Sequence, residues 1–534
     1  MHRQLIFPAA AMCVAIIFAT VEPAAAQTAL RPVQPPVRAP SIDGGTAWLN
    51  TAEPLRLEKL RGKFVILEFW TYCCINCIHQ IADLKKLERA YPKSLVVIGI
   101  HAAKFKQERE LQNVREAVLR YEINHPVVND GSYKISQRYK ANVWPTLIVI
   151  DPEGFVVAGQ TGEVRFAALD TFLKRAIPRY RGRGTLQTSP LPLRPEQDHH
   201  SGSPLKFPGK VLADEATRRL FIADSNHNRI VICTMNGTVT GTIGSEKIGR
   251  ADGDFSSASF FHPQGLALHG NTLYIADTEN HLIRMADLKH RKVVTIAGTG
   301  RQAGLRPKST SRDLNSPWDL CVHQNSLYIA MAGAHQVWSM PLGGRRPAVF
   351  AGSGSEDLID GPLRGSPSNK KVSAFAQPSG FATADQRLYV ADSEASAIRA
   401  VPFHSRQSVR TVLGPVDRSE DRLFTFGDRD GPVKTALLQH PLGIAHHDHH
   451  IYIADTYNNK IKELNLAEMT IRTVAGDGRA GGTDKPARFN EPAGLSIANG
   501  RLYVADTNNH TIRVIELDND YKVSTLKLSS LPDP

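Results

Sequence analysis

Three cysteines fall within five positions of the stretch WTYCCINCIH, residues 70–79: Cys73, Cys74 and Cys77, with Trp70 ahead of them and His79 behind. A cluster this tight can serve as a metal clip, a structural disulfide or a redox centre. A zinc site would draw on Cys73, Cys74, Cys77 and His79. However, a strand pattern ends and a helix pattern starts among them, so their side chains leave the backbone in different directions, and no second cysteine pair lies near. A permanent Cys74–Cys77 disulfide would close so short a loop that it adds little stability. Redox chemistry uses every neighbour. Cys74 stands at the helix start, a place whose unpaired N–H groups and dipole favour a thiolate, and Cys77, one turn in, is placed to resolve a mixed disulfide.

The elements that must hold this motif are legible in the patterning. FVILEFW (64–70) predicts a buried strand running straight into the cysteines, and IADLKKLERAY (81–91) a helix with Ile81, Leu84 and Leu87 on one face. SLVVIGIH (94–101) predicts a second strand, KQERELQNVREAVLRY (106–121) a second helix and LIVID (147–151) a third strand. This alternation implies an α/β layer around a central sheet. Proline-rich stretches at 31–40 and 181–204 predict exposed, extended linkers on either side.

Beyond residue 205 one phrase recurs: LFIADSNHNRI, LYIADTENHLI, LYIAMAGAHQV, LYVADSEASAI, IYIADTYNNKI and LYVADTNNHTI. Its aligned positions are Asp224, Asp277, Met331, Asp392, Asp455 and Asp506, at intervals of 53, 54, 61, 63 and 51. Each full unit opens on a Pro-x-Gly-Leu-like strand and closes near Ala-Gly, which makes four short strands per unit and a face that only a neighbour can cover. A closed six-bladed β-propeller is the economical solution. The recurrent Asp predicts a turn in which Asp and Asn bond local backbone. The basic residues Arg284, Arg399, Lys462 and Arg513 predict a charged rim, HHDHH (446–450) a solvated hairpin, and Cys233 and Cys321 buried filler.

The chain has 534 residues and a net charge of +12. Residues 1–26, with a basic start, an apolar run over 5–20 and Ala24–Ala26, predict a secretory signal peptide cleaved near Ala26 and a periplasmic or secreted protein. That run of 16 residues falls short of the ~20 needed to cross a bilayer, so no integral membrane span is expected. Removal of Cys13 leaves five cysteines, an odd number, which fits reactive thiols better than a disulfide framework. Export argues against nucleic acid as the partner of this basic surface and leaves acidic protein or anionic lipid.

Two resemblances follow from these motifs. LEFWTYCCINC, VWPTLIVID (143–151) and EGFVVAGQTGE (153–163) resemble the thioredoxin-fold domains of the exported TlpA and ResA kind. That resemblance implies a nucleophile at Cys74, a resolving thiol at Cys77, a cis-proline at Pro145 and a substrate-pairing backbone at Trp144, with Trp70 added to the substrate surface. It also implies a buried acid at Glu68 that takes the proton of Cys77, although an ion pair with a nearby lysine is the competing role. Cys73 replaces the usual aromatic residue and stands as either a third redox thiol or a small apolar filler. The second region resembles the NHL-repeat propellers, its third unit departing at Met331 and Ala332, and the combination resembles the NHL-repeat-containing protein 2 family and its bacterial relatives.

The organisation expected is therefore a signal peptide at 1–26, a Pro-rich linker at 27–40, a thioredoxin-like domain at 41–178, a linker at 179–204 and a propeller at 205–530. The function expected is thiol–disulfide oxidoreduction on a protein disulfide or redox partner, with no cofactor and no metal. The propeller would dock a client, with acidic proteins favoured. The alternatives are a non-enzymatic scaffold or redox sensor carried by the propeller, and a propeller lyase or hydrolase with a bound metal.

Overall fold

The structure, a computed structural model, describes residues 30–196, 203–304, 312–344, 346–365, 372–404, 406–415 and 421–529; the expected signal peptide lies outside them. The chain divides into two compact units on either side of Gln197. The first is a seven-stranded sheet of β1 (Arg31–Arg38), β2 (Ala47–Leu49), β3 (Phe64–Trp70), β4 (Leu95–His101), β5 (Val127–Asn129), β6 (Thr146–Ile150) and β7 (Phe155–Thr161), in the order β1-β7-β6-β3-β4-β5-β2. Its helices are α1 (Ile75–Ala90), α2 (Leu111–Arg120), α3 (Lys134–Tyr139) and α4 (Phe166–Gly182). β3, β4 and β5 run parallel, and β6 joins β3 antiparallel. Alternation along the strands splits the core. Val65, Leu67 and Phe69 pack toward Ile135 and Tyr139 of α3, while Phe64 and Ile66 pack toward Leu84 and Leu87 of α1 and Leu169 and Leu173 of α4.

Two expectations need correction. The stretch RPVQPPVR is strand β1, paired with β7 from Arg31↔Gly159 to Arg38↔Phe155. Proline is tolerated because β1 is an edge strand, and Val33 and Val37 pack against the core. The second stretch is tied down up to residue 196: Gln187 N–H donates to Gly62 O (2.7 Å), Arg194 N–H to Asn50 O (3.1 Å), and Leu186 and Leu191 pack on the two core layers.

The second unit is the six-bladed propeller, each blade built on four strands contiguous in sequence, with a two-residue outer strand (Gly253–Asp254, Gly361–Pro362 or Gly431–Pro432) added in three of them. The innermost strands, Pro208–Asp214, Pro263–His269, Pro317–His323, Pro378–Ala384, Gly443–His447 and Pro492–Ala498, adjoin in a ring, the first beside the last. The final segment completes its own blade as Lys522–Leu526, so closure uses no exchanged strand.

The repeated phrase has two jobs. Its Asp is fully buried and accepts a backbone N–H at the start of its own blade: Lys206 N for Asp224, Phe261 N for Asp277, Gln439 N for Asp455 and Asn490 N for Asp506. The basic residues expected on a rim are buried instead, because they neutralise these carboxylates. Arg284 bonds Asp277 at 2.8 Å, Arg399 bonds Asp392 at 3.1 Å, Lys462 lies 3.2 Å from Asp455 and Arg513 bonds Asp506 at 3.0 Å. The third blade lacks both partners together, with Met331 for the acid and Trp338 for the base, each buried.

The phrase ends on a left-handed residue, Asn228, His281, His335, Ser396, Asn459 or His510, whose side chain bonds the backbone of the next blade. These bonds reach His262 N (3.0 Å), Ser316 N (3.1 Å), Ala376 O, His440 N (3.2 Å), Glu491 N (2.9 Å) and, closing the ring, Phe207 N (3.0 Å).

HHDHH forms a hairpin with His447 opposite His450 and Asp448 at φ 52°, and among the described residues no three His, Cys, Asp or Glu side chains are grouped to hold a metal. Cys233 is buried, whereas Cys321 is only half-buried and lines a central channel of about 400 Å³. There Lys210 Nζ meets Asp319 Oδ2 (3.1 Å) and Ser379 O (3.1 Å).

The third blade supplies a test. Asp392→Met alone removes the buried carboxylate facing Arg399, leaving Asp360 at 3.1 Å as the anionic partner of that buried cation, and should cost roughly 3–5 kcal/mol. Asp392→Met with Arg399→Trp, copying the third blade, should recover most of that loss in urea unfolding of the full chain. A purely additive loss would show that the pair is not one exchangeable unit.

Candidate active site

β3 is central and ends at Trp70, and the chain turns through Thr71–Cys73 into α1, which Cys74 caps with extended backbone (φ −81°, ψ 114°). Cys77 N–H and Ile78 N–H both donate to Cys74 O, at 3.0 and 3.2 Å. Cys74 is half-buried and Cys77 fully buried, and the two form a hydrogen-bonded dithiol. Burial, then the hydrogen bond and charge of Cys74, hold the Cys77 thiol well above its ordinary value, and Glu68 pushes in the same direction. The accessible sulfur and the proton-holding sulfur are thus different residues. Cys73 is 2% exposed, with its sulfur 3.7 Å from Thr71 Oγ1, so its thiol is not brought to the opening that Cys74 reaches.

The residue that shapes this turn is one the sequence reading missed. Glu108, fully buried, accepts Cys73 N–H at 2.9 Å on one carboxylate oxygen. Its other oxygen accepts Thr71 Oγ1–H (2.8 Å), Lys104 N–H (2.8 Å) and Phe105 N–H (2.9 Å). It locks the loop after β3 to the loop after β4. Because Glu108 turns inward within a short 3-10 turn, Gln107–Arg109, the helix expected from residue 106 starts only at Leu111. The available signal was topological: loops that follow adjacent parallel strands emerge side by side.

Glu68 lies on the α1 face of β3, level with Gly99 of β4 and Leu147 of β6. Among the described residues neither carboxylate oxygen has a hydrogen-bond partner, and no lysine pairs with it. Burial, reinforced by the charge of Glu88, raises it well above the usual carboxylate range. Trp70, expected at the substrate surface, is fully buried. Its ring lies edge-on to His101 (5.1 Å), and a β-carbon on Gly99 would come within 2.9 Å of its Nε1. It is core because β3 is covered on both faces through its last residue. His101 stacks on Tyr72 (5.5 Å, 19°), and burial, opposed by the Asn129 side chain, pushes it down to about 3.

Trp144 and Pro145 sit where β6 begins. Phe69↔Thr146 is the last pair of the β3–β6 ladder, so Pro145 is level with Trp70 at the root of the cysteine turn. The Trp144–Pro145 bond is cis and Pro145 O accepts Gly162 N–H at 2.8 Å. Trp144 is half-buried, and its backbone N–H and C=O make no hydrogen bond among the described residues. A groove of about 300 Å³ runs beside it, lined in part by Ala102, Tyr133, Gln137 and Lys140.

Residues 62–156 match the thioredoxin-like family and residues 489–515 the NHL repeat. NHL repeat-containing protein 2 of Bos taurus is 41% identical over 516 residues, spanning 90% of this chain and 70% of that protein. The chain belongs to the NHL repeat-containing protein 2 family. Protein SUPPRESSOR OF QUENCHING 1, chloroplastic, of Arabidopsis thaliana is 44% identical over 93% of this chain, which spans 48% of that relative's length. Over the first unit alone, thiol-disulfide oxidoreductase ResA of Halalkalibacterium halodurans is 30% identical across 127 residues, 24% of this chain and 69% of its own. In this NHL repeat-containing protein 2 family member, then, a thioredoxin-like unit carrying the dithiol precedes the propeller.

Two substitutions check this site. Glu68 keeps in the fold a proton that the unfolded chain releases above about pH 4.3, so its contribution to stability is full below that pH and is lost as pH rises toward its raised folded value. Glu68→Gln should match the parent below about pH 4.3 and grow progressively more stable than it above, in urea midpoints measured across pH. Glu108→Ala leaves buried donors bare and should destabilise the first unit by roughly 3–5 kcal/mol, read as a lowered midpoint of its unfolding.

Proposed function

We propose that this protein is an exported thiol–disulfide oxidoreductase whose propeller docks the protein it acts on or the redox partner that recharges it. The observation that carries the reading is the asymmetric pair: Cys74 half-exposed at the first turn of α1, Cys77 fully buried behind it, and an unpaired buried carboxyl at Glu68. In the reducing direction Cys74 thiolate attacks a client disulfide, one client sulfur leaves as a thiolate and takes a proton, and a mixed disulfide remains. Cys77 then loses its proton and attacks Cys74, forming the Cys74–Cys77 disulfide and releasing the second client thiol. The opposite sequence oxidises the client.

The uncommitted N–H and C=O of Trp144, beside the cysteine turn, suit an extended client segment added by backbone pairing. Export rests on the amino-terminal apolar run and Ala24–Ala26. The propeller's contribution is binding. Its blades are cross-tied and its phrase residues are consumed in holding them, which leaves the loops to meet a partner, with acidic surfaces favoured by a charge of +12.

Cys77→Ser, purified from the exported fraction, should accumulate mixed disulfides through Cys74 that vanish on reduction and are missing from Cys74→Ser, as read on non-reducing gels. No captured partner, together with a dithiol inert toward model disulfides, would sink this reading and leave the propeller as a binding scaffold.

A further inference from the structure

The row of helices on one face of the first sheet stops short of its edge. α1 and α4 cover β4, β3, β6 and Ala158 of β7, while β1, the outermost strand, sends Val33 and Val37 to the opposite layer. Between α4 and β1 this leaves a groove of about 1250 Å³. Its floor is apolar, made by Phe155 and Val157 of β7 and by Phe172 and Ala176 of α4, all half-buried. One wall is Pro32, Pro35 and Pro36, exposed on β1. The other is the exposed stripe Arg175, Arg179 and Arg183 on α4, whose members follow one another at steps of about 6 Å along the axis.

The acids near this groove are already committed. Asp151 accepts Tyr180 Oη–H (2.8 Å) and the N–H groups of Glu153 (3.0 Å) and Phe155 (2.8 Å), and Glu153 pairs with Arg183 at 3.5 Å. Asp170, the acid of α4, pairs with Lys174 at 2.7 Å. Among the described residues no carboxylate pairs with Arg175 or Arg179, so two unopposed cations stand along an apolar trough. Three features select what fits there. Proline carries no N–H, so β1 offers a broken edge to strand addition. The apolar surface is a floor and not a protrusion, which a convex helix reaches and a flat bilayer does not. Acids four residues apart on a helix lying alongside α4 repeat every ~6 Å, in step with the arginines, whereas acids two apart on an extended chain repeat every ~6.7 Å and fall behind.

We propose that this groove is the docking seat for an amphipathic helix of a partner protein, with its apolar face over Val157 and Phe172 and acidic residues four apart against Arg175 and Arg179. From Ala168 to Arg183 the groove follows α4 for about 22 Å, room for a helix of about 15 residues. The seat is separate from the cysteines and goes beyond the redox reading. Phe64, where β3 begins, lines the groove, and β3 runs about 20 Å from there to Trp70 before the cysteine turn. A partner held at this end leaves Cys74 open to a client. The thioredoxin-like unit thus carries an anchoring surface of its own, and docking is not left to the propeller alone.

The test titrates the full chain into a fluorescein-labelled helical peptide of about 15 residues, with leucines along one face and Glu four residues apart beside them, and reads fluorescence anisotropy. A Kd of about 10 µM is expected, as for a small transient seat, and binding should weaken about tenfold or more in Arg175→Glu with Arg179→Glu. A peptide with Lys in place of each Glu should bind that double variant more tightly than it binds the parent. Both arginines are exposed, so the exchange leaves the core intact. Ala176→Arg adds a cation but fills the floor and should weaken binding of the Glu peptide, whereas attraction to charge alone would strengthen it. No binding by the parent, equal binding of the Glu and Lys peptides, or tighter binding by Ala176→Arg overturns the seat. Arginine-dependent sedimentation with phosphatidylglycerol vesicles, without binding of the peptide, would make a membrane the occupant and overturn it as well. Release of coloured thiolate from dithiobis-nitrobenzoate by Cys74 should be equal in the double variant and the parent, and a changed rate would overturn the separation of groove and dithiol. Absence of that release from the parent would count against the redox reading alone.

Discussion

A carboxylate taken out of water must either find positive partners or keep its proton, and the two units of this chain rest on opposite solutions to that constraint. In the propeller every buried phrase aspartate has a cation and several N–H donors, and blade geometry follows from that bonding. Asp277, for example, ties Phe261 at the entry of its blade to Arg284 in the third strand, and Arg284 in turn reaches Ser259 O and Ala251 O in the connecting loop. In the thioredoxin-like unit Glu68 has no donor among the described residues, so burial raises its hold on a proton well above the usual carboxylate range. The first solution makes a rigid body. The second leaves a carboxyl with a raised proton affinity beside the buried Cys77 thiol.

Glu108 shows a third use of the same group. Its two oxygens collect four donors from two loops, and those loops carry the cysteine turn and the segment running into α2. Because β3 and β4 are parallel neighbours, their C-terminal loops would otherwise be two independent flexible connections. One carboxylate makes them a single unit, which fixes where Cys74 emerges relative to the Trp144–Pro145 segment across β3. The position of Cys74 is therefore set by main-chain N–H groups bonded to Glu108 and less by the identity of the side chain at 73.

The sequence was a good guide wherever chemistry was local or repeated. FVILEFW, the helix start at Cys74 and the phrase of the blades were readable because alternation, capping and recurrence are properties of adjacent residues. The failures share one cause. Trp70 reads as a site residue because it stands next to cysteines, yet its burial is decided by Gly99 on another strand. Arg284, Arg399, Lys462 and Arg513 read as a rim because charges are usually exposed, yet each lies seven residues beyond its aspartate and meets it across a hairpin. Glu108 carries no local signal at all. The prolines of β1 read as a linker because proline weakens a central strand, and only sheet order shows that β1 lies at an edge.

The third blade argues that the Asp–cation pair specifies a shape and is not required as a charge. Met331 and Trp338 occupy the same two register positions as Asp277 and Ile275's partner Arg284 do in the second blade, and the backbone they support is likewise a strand, a tight turn and a left-handed exit. Asn315 N–H, which would meet an aspartate oxygen elsewhere, contacts Met331 Sδ at 3.3 Å, and Trp338 Nε1–H is satisfied by Gln336 at 3.0 Å. A buried ion pair and a packed apolar pair of similar volume can stabilise a fold almost equally once both partners change together. What every blade keeps is the left-handed residue reaching into the next blade, His335 in this case, because closing the ring depends on that cross-blade bond more than on how each blade neutralises its own core.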